Sequence, residues 1–239
     1  AAFYTAIEDD CIRKNPFNFA LDTVIEDDRE RKAALTPKQE ESLLSFMEQD
    51  AVYKKYRDEV IILLGTGLRI SEFCGLTTAL DFKNRQINVD HQLLRDTDIG
   101  YYVETPKTKK GIRQIPMSEE VYQALRRVLK NRSNAAPFSV EGYKNFLFLK
   151  NDGMPKVAAN YESMLKGLVK KYNKQNKEQL PNITPHILRH TFCTRLANAG
   201  MNPKALQYIM GHANITMTLN YYAHATYDSA KAEMERLAA

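Results

Sequence analysis

Cysteine is scarce in this chain, and Cys11, Cys74 and Cys193 lie far apart without any metal-type spacing. That scarcity argues against a disulfide framework or a cysteine-based zinc module and fits a reducing, cytoplasmic compartment. Apolar runs are short as well: the longest, Val60 to Leu64, is far below the length that crosses a bilayer. No secretory signal opens the sequence, no repeat recurs and no low-complexity tract interrupts it. A glycine-rich phosphate loop is missing.

What remains is the composition of a globular protein, 239 residues long with 44% hydrophobic and 26% charged residues and a net charge of +5. This length builds one large domain, or one domain and a fragment of a second. Mild basicity alone does not identify a nucleic-acid binder. The cations are clustered, however. Lys107, Lys109, Lys110 and Arg113 form one group, Arg126, Arg127, Lys130 and Arg132 another, and Lys166, Lys170, Lys171, Lys174 and Lys177 a third.

Residues 2–14 read as a helix ended by Asn15-Pro16, followed by an aperiodic, acidic linker over 18–31. One helix cannot bury itself, so this segment reads as the tail of a preceding domain. Thr36-Pro37-Lys38-Gln39 is a capping-box pattern opening a helix to about Asp50. A second helix over 53–64 stops at Gly65-Thr66-Gly67, and a short one starts at Leu68. Strands are expected over 85–94, 101–104 and 113–116, the last two joined by a hairpin turn at Thr108-Lys109-Lys110-Gly111. A helix capped by Ser118 reaches about Asn131, another covers 158–174, then comes one capped by Thr184, and others over 203–210, 216–222 and 228–237. The fold class is α+β, mainly helical, with one small antiparallel sheet.

Pro185 suits the first turn of the Thr184-capped helix, on which His186 and Arg189 share a face. An imidazole beside a guanidinium near a helix N-terminus suits an anion that also exchanges protons. His186 and His190 are four apart, but Ile187 stands where a metalloprotease helix needs Glu, and no third ligand is near, so His190 reads as structural. Arg69 is either a surface arginine paired with Glu72 or a bidentate phosphate donor. Lys107 is either solvated charge or a proton donor to a leaving oxygen. His212 follows Gly211 in a turn. Tyr221 and Tyr222 are about 100° apart on a helix, so only one faces a given site. A free tyrosine is roughly one part in a thousand ionised at pH 7, so a nucleophilic one needs a base and positive charge.

Together, Gly65-Thr66-Gly67-Leu68-Arg69-Ile70-Ser71-Glu72, Pro106-Lys107-Thr108-Lys109-Lys110, His186-Ile187-Leu188-Arg189-His190-Thr191-Phe192, Gly211-His212 and Tyr222-Ala223-His224 occur in the order found in one family. Over about 35–224 the chain resembles the catalytic domain of tyrosine recombinases, or phage-type integrases. The hairpin and Gly200-Met201-Asn202-Pro203-Lys204 are most similar to integrases of conjugative transposons. The resemblance implies that 1–31 is the last helix of a core-binding domain plus a linker, and 32–239 a catalytic domain with a C-terminal exchange helix. It implies Tyr222 as nucleophile, Arg69, Arg189 and His212 on the phosphate, Lys107 as acid and His186 as base. Lys109, Lys110 and Arg113 would contact DNA. The implied reaction cuts and rejoins double-stranded DNA through a 3′-phosphotyrosine, with no metal or ATP. Implied partners are a homotetramer on paired sites and accessory DNA-bending or excision proteins. Residues 75–82 are one fewer than in relatives, outside every motif. A type IB topoisomerase, which reseals the same strand, stays open on residues alone. A non-catalytic helix-turn-helix over 203–222 would leave Arg69, Lys107 and His186 without a task.

Overall fold

Thr36 opens helix α1 (Pro37–Gln49) with the expected reciprocal cap: its hydroxyl accepts from Gln39 N–H at 3.2 Å, and Gln39 Oε1 accepts from Thr36 N–H at 2.9 Å. The computed structural model describes residues 33–106, 111–132 and 138–222, together with 3, 5, 7, 9, 11–16, 234 and 235. Contacts divide the chain into two units, Ala1–Lys32 and Ala33–Ala239. In the first, Phe3, Thr5 and Ile7 are helical and Asp9 already lies in a turn, so the helix read over 2–14 is shorter than expected. Asp9 is an acidic residue at a helix end that favours cations. The linker expected over 18–31 lies outside the described residues, as does the C-terminal helix expected over 228–237 apart from Met234 and Glu235, which are helical.

In the second unit two helices are buried nearly all round. A single turn (Lys54–Tyr56) leads into α2 (Arg57–Thr66), whose Val60 to Leu64 run is wholly in the core. It packs against α4 (Glu119–Asn131) on one side and α6 (Pro185–Asn198) on the other. Each fully buried Leu or Ile of this run contributes roughly 1.5–3 kcal/mol relative to exposure. Ser118 and Thr184 cap α4 and α6 through Val121 and Ile187 N–H, as read from sequence. The remaining helices are α3 (Ile70–Gly75), α5 (Ala158–Gln175), α7 (Pro203–Met210) and α8 (Thr216–Leu219). Among the described residues no helix is long and apolar enough to cross a membrane.

The strands differ from expectation. The 85–94 strand is split into β1 (Gln86–Val89) and β2 (Gln92–Asp96). Between them His91 turns inward, donating from Nε2 to the Gly75 carbonyl at 2.7 Å and lying against the Tyr143 ring. The hairpin is β2 with β3 (Gly100–Glu104), whose turn is braced by Asp98 N–H on Asp96 Oδ1 at 2.8 Å. β4 (Arg113–Pro116) pairs with β1 instead of β3, setting Ile87 opposite Ile115.

Gly67 ends α2 with a left-handed φ of 62°, and a Cβ there would lie 2.3 Å from Phe192 Cδ1 of α6. Only glycine permits both the turn and the close approach. Gly67→Ala is expected to cost about 3 kcal/mol, from left-handed strain plus overpacking. The check is the urea midpoint, which falls with an unchanged denaturant slope.

Candidate active site

The site is organised by the C-terminal end of α7, an eight-residue helix started by Pro203 and capped by the Asn202 side chain. Its last carbonyls have no partner within the helix. Three arginines from distant segments take three carbonyls in succession. Arg113 Nε of β4 donates to Ile209 at 2.6 Å, Arg189 Nη2 of α6 to Met210 at 2.6 Å, and Arg69 Nη2, at the start of α3, to Gly211 at 3.1 Å. Cations are favoured at this negative end of the helix dipole. Arg189 also donates from Nη1 to the Gly67 carbonyl, so it ties the α2 turn to the α7 end.

One carboxylate joins the cluster. Glu72 accepts from Arg69 N–H and Nη1, both at 2.9 Å, and from Arg113 Nη1 and Nη2 at 3.0 and 2.8 Å. Burial would raise its carboxyl, but the Arg113 and Arg69 hydrogen bonds and charges hold it below the usual carboxylate range. Three guanidiniums against one carboxylate leave an excess of two positive charges. Arg189, 7% exposed, is pushed down to about 10 by burial first and then by the Arg69 charge, and stays charged at neutral pH.

His212 immediately follows this carbonyl series. It is buried, with Nδ1 3.0 Å from the Thr218 hydroxyl. His186 is exposed on the first turn of α6. His190 is half-buried, with Nδ1 3.3 Å from the Tyr221 hydroxyl, and burial lowers its pKa ahead of any effect of His186. Among the described residues no group of His, Cys, Asp and Glu is arranged to hold a metal ion.

The two tyrosines are placed differently from the sequence expectation. α8 ends at Leu219, and Tyr221 and Tyr222 lie in turns closed by i to i−3 bonds, Tyr221 N–H to Thr218 and Tyr222 N–H to Leu219. Their spacing around a regular helix therefore does not apply. The Tyr221 ring lies parallel to His212 at 6.5 Å, and the Arg189 charge acts on its hydroxyl. The Tyr222 hydroxyl donates to the Met201 carbonyl at 2.5 Å. Burial, then Cys193, raises both phenols, while the Arg189 charge opposes this at Tyr221.

Thus Arg69, Arg189 and His212 converge, while Tyr222 faces Met201. Arg113, expected to contact DNA, is 3% exposed and held by Glu72 and main-chain carbonyls, which corrects that assignment. Lys107, Lys109 and Lys110 lie outside the described residues. Flanking them, Pro106 and Gly111 are in close apposition.

The profile described as the phage integrase family matches residues 33–229. The chain belongs to the phage integrase family. The transposase from transposon Tn916 of Enterococcus faecalis is 66% identical over 238 residues, covering 99% of this chain and 59% of the relative. Tyrosine recombinase XerA of Pyrococcus horikoshii is 32% identical over 202 residues, covering 81% of this chain and 62% of the relative. The structure of the Tn1549 transposon integrase in complex with transposon right end DNA superposes with a TM-score of 0.91 at 68% identity, covering 100% of this chain and 76% of that one. A crystal structure of XerA recombinase gives 0.61 at 25% identity, covering 87% and 66%. The chain spans 59% of the length of the curated transposase relatives. The fold is that of tyrosine recombinase catalytic domains, mainly helical as read from sequence, with two small antiparallel sheets among the described residues where one was expected.

In this integrase-family fold the sequence reading missed three partners. Arg113 on the inner face was signalled by its alternation with Ile115, since both are buried and Gln114 and Pro116 are exposed. Thr218 and Met201 carried no signal. His212 gives a pH prediction. Burial, then the Arg189, Arg69 and Arg113 charges, hold it at about 4 against 6.5 for an unperturbed histidine. As pH falls below about 6.5, the unfolded chain takes up a proton that the folded site refuses, so stability drops towards pH 4. The full effect is on the order of 3 kcal/mol. Urea midpoints should fall across that window, and His212→Gln should flatten this part of the profile.

Proposed function

We propose that this chain is the catalytic part of a site-specific DNA recombinase of a mobile element, acting through a 3′-phosphotyrosine. The observation that carries the reading is the convergence of Arg69, Arg189 and His212 with an excess of two positive charges beside the Gly211 turn. A phosphodiester supplies the missing anion, and the five-coordinate transition state carries more charge than the ground state, so the cluster stabilises it preferentially. Tyr222 Oη attacks phosphorus, the bond to the 5′-oxygen breaks, and the 5′-oxygen takes a proton. His186 accepts the phenolic proton and Lys107 supplies the proton to the leaving oxygen. A 5′-hydroxyl then reverses the step on the partner strand, so the energy of the broken bond is kept in the protein–DNA link.

The choice of Tyr222 draws support from the solved Tn1549 integrase complexes. One carries an arginine-to-lysine change and another a tyrosine-to-phenylalanine change, 154 positions apart in that chain's numbering. Arg69 and Tyr222 are 153 apart, and the difference equals the residue by which 75–82 falls short of relatives. To attack, the Tyr222 hydroxyl must exchange the Met201 carbonyl for phosphate, a loss of about 1 kcal/mol. Lys109 and Lys110 contact the DNA backbone. Residues 1–31 belong to a core-binding domain, 32–239 form the catalytic domain, and the C-terminal helix serves exchange within a tetramer on paired sites. Accessory DNA-bending or excision proteins and a cytoplasmic location complete the reading.

The test is strand exchange between two differently labelled duplexes that carry the element's ends. Exchanged products without ATP or added metal are expected. Relaxation of supercoiled DNA with no exchange would replace the recombinase by a topoisomerase.

A further inference from the structure

Arg113 has a side chain with no exposure at all, yet it carries a full charge among the site's groups. Its guanidinium grips both oxygens of Glu72, at 3.0 and 2.8 Å, and also donates to the carbonyls of Ile209 and Gly111. Gly211 lies flush against it: a Cβ there would be 2.9 Å from Arg113 Nη1. Arg69, by contrast, is 39% exposed and gives Glu72 only one side-chain bond.

This division of labour has an electrostatic consequence. A buried carboxylate with a single guanidinium neighbour draws that neighbour into a bidentate, neutral pair. Arg69 would then present little charge to a phosphate. Because Arg113 occupies the bidentate position, Arg69 keeps one contact to Glu72, one to Gly211, and the rest of its donors open. We propose that Arg113 is a positioning residue, which neutralises Glu72 so that Arg69 stays oriented and charged for the scissile phosphate. The inference rests on the recombinase reading above. It places Arg113 away from DNA and makes lysine a poor substitute, since an ammonium cannot span both carboxylate oxygens.

The test is single-turnover cleavage of a nicked suicide DNA substrate by the full chain at saturating DNA. Arg113→Met is expected to slow covalent-complex formation about a hundredfold, with DNA affinity unchanged, because one preorganised transition-state donor is compromised. Arg113→Lys should recover only part of the rate. Adding Glu72→Gln to Arg113→Met should restore at least about tenfold, because the carboxylate that captures Arg69 is gone. A purely structural role predicts instead that the double variant is slower than either single variant. That result, or an Arg113→Met variant as fast as wild type, overturns the proposal. Should Arg113→Met not fold, as judged by its thermal transition, the double variant is compared with Arg113→Lys: faster supports the proposal, slower overturns it. A wild-type chain that forms no covalent complex refutes the recombinase reading itself, a result separable from every variant comparison.

Discussion

Tyr222→Phe is expected to abolish the covalent protein–DNA band on a nicked suicide substrate, while Tyr221→Phe still forms it. Without Oη there is no atom to bond to phosphorus, so the loss at position 222 is complete and not a matter of degree. Tyr221→Phe removes only the hydroxyl 3.3 Å from His190 Nδ1, and its ring can keep its place against His212. That costs a hydrogen bond and at most about tenfold in rate. The structure makes this comparison sharp, because Tyr221 is the tyrosine beside His212 and Arg189, whereas Tyr222 is bonded to Met201. A band lost with Tyr221→Phe and kept with Tyr222→Phe would move the nucleophile to the position already next to the arginines. A denaturing gel of labelled DNA reads both outcomes.

Arg189→Lys is expected to lower cleavage on the order of a thousandfold, by removing a preorganised donor to the charged transition state. It should also lower stability by about 1–3 kcal/mol, because Arg189 satisfies the Gly67 and Met210 carbonyls together and a lysine reaches only one. Arg69→Lys makes the useful contrast. Its side chain is more than a third exposed, and Glu72 keeps Arg113, so cleavage should fall similarly with little change in stability. Single-turnover rates and urea midpoints measured on the same preparations separate the two arginines. An Arg189→Lys variant within tenfold of wild type would contradict its place in the phosphate site.

Local signals were legible in the sequence. Thr36, Ser118 and Thr184 act as caps because a short side chain and the following N–H groups suffice, and Gly67 ends α2 because glycine favours the left-handed backbone there. The Arg69–Glu72 pair, one of the two readings of Arg69 open from sequence, forms because three residues separate them at a helix start. Non-local choices were less accessible. β4 pairs with β1, and the inward turn of His91 onto Gly75, 16 residues away, separates β1 from β2; no strand periodicity encodes either. Arg113 was grouped with its basic neighbours, although its alternation with Ile115 pointed inward. The turns after Leu219 have no sequence mark, so the directions of Tyr221 and Tyr222 do not follow from residue pattern.

The carbonyls of Ile209 and Met210 that hold Arg113 and Arg189 belong to the main chain. Side-chain replacement cannot delete them. An alanine scan through α7 would report lost core packing at Leu206, Ile209 and Met210, all buried, and the lost side-chain hydrogen bonds of Gln207 and Tyr208, but never the loss of these carbonyls. Its part in holding the cations would show only when the peptide groups themselves are displaced or replaced, as by an ester linkage that weakens the carbonyl acceptor. Such a helix can dictate the geometry of a reaction while tolerating many apolar sequences, provided that they seat its last turn in the same place.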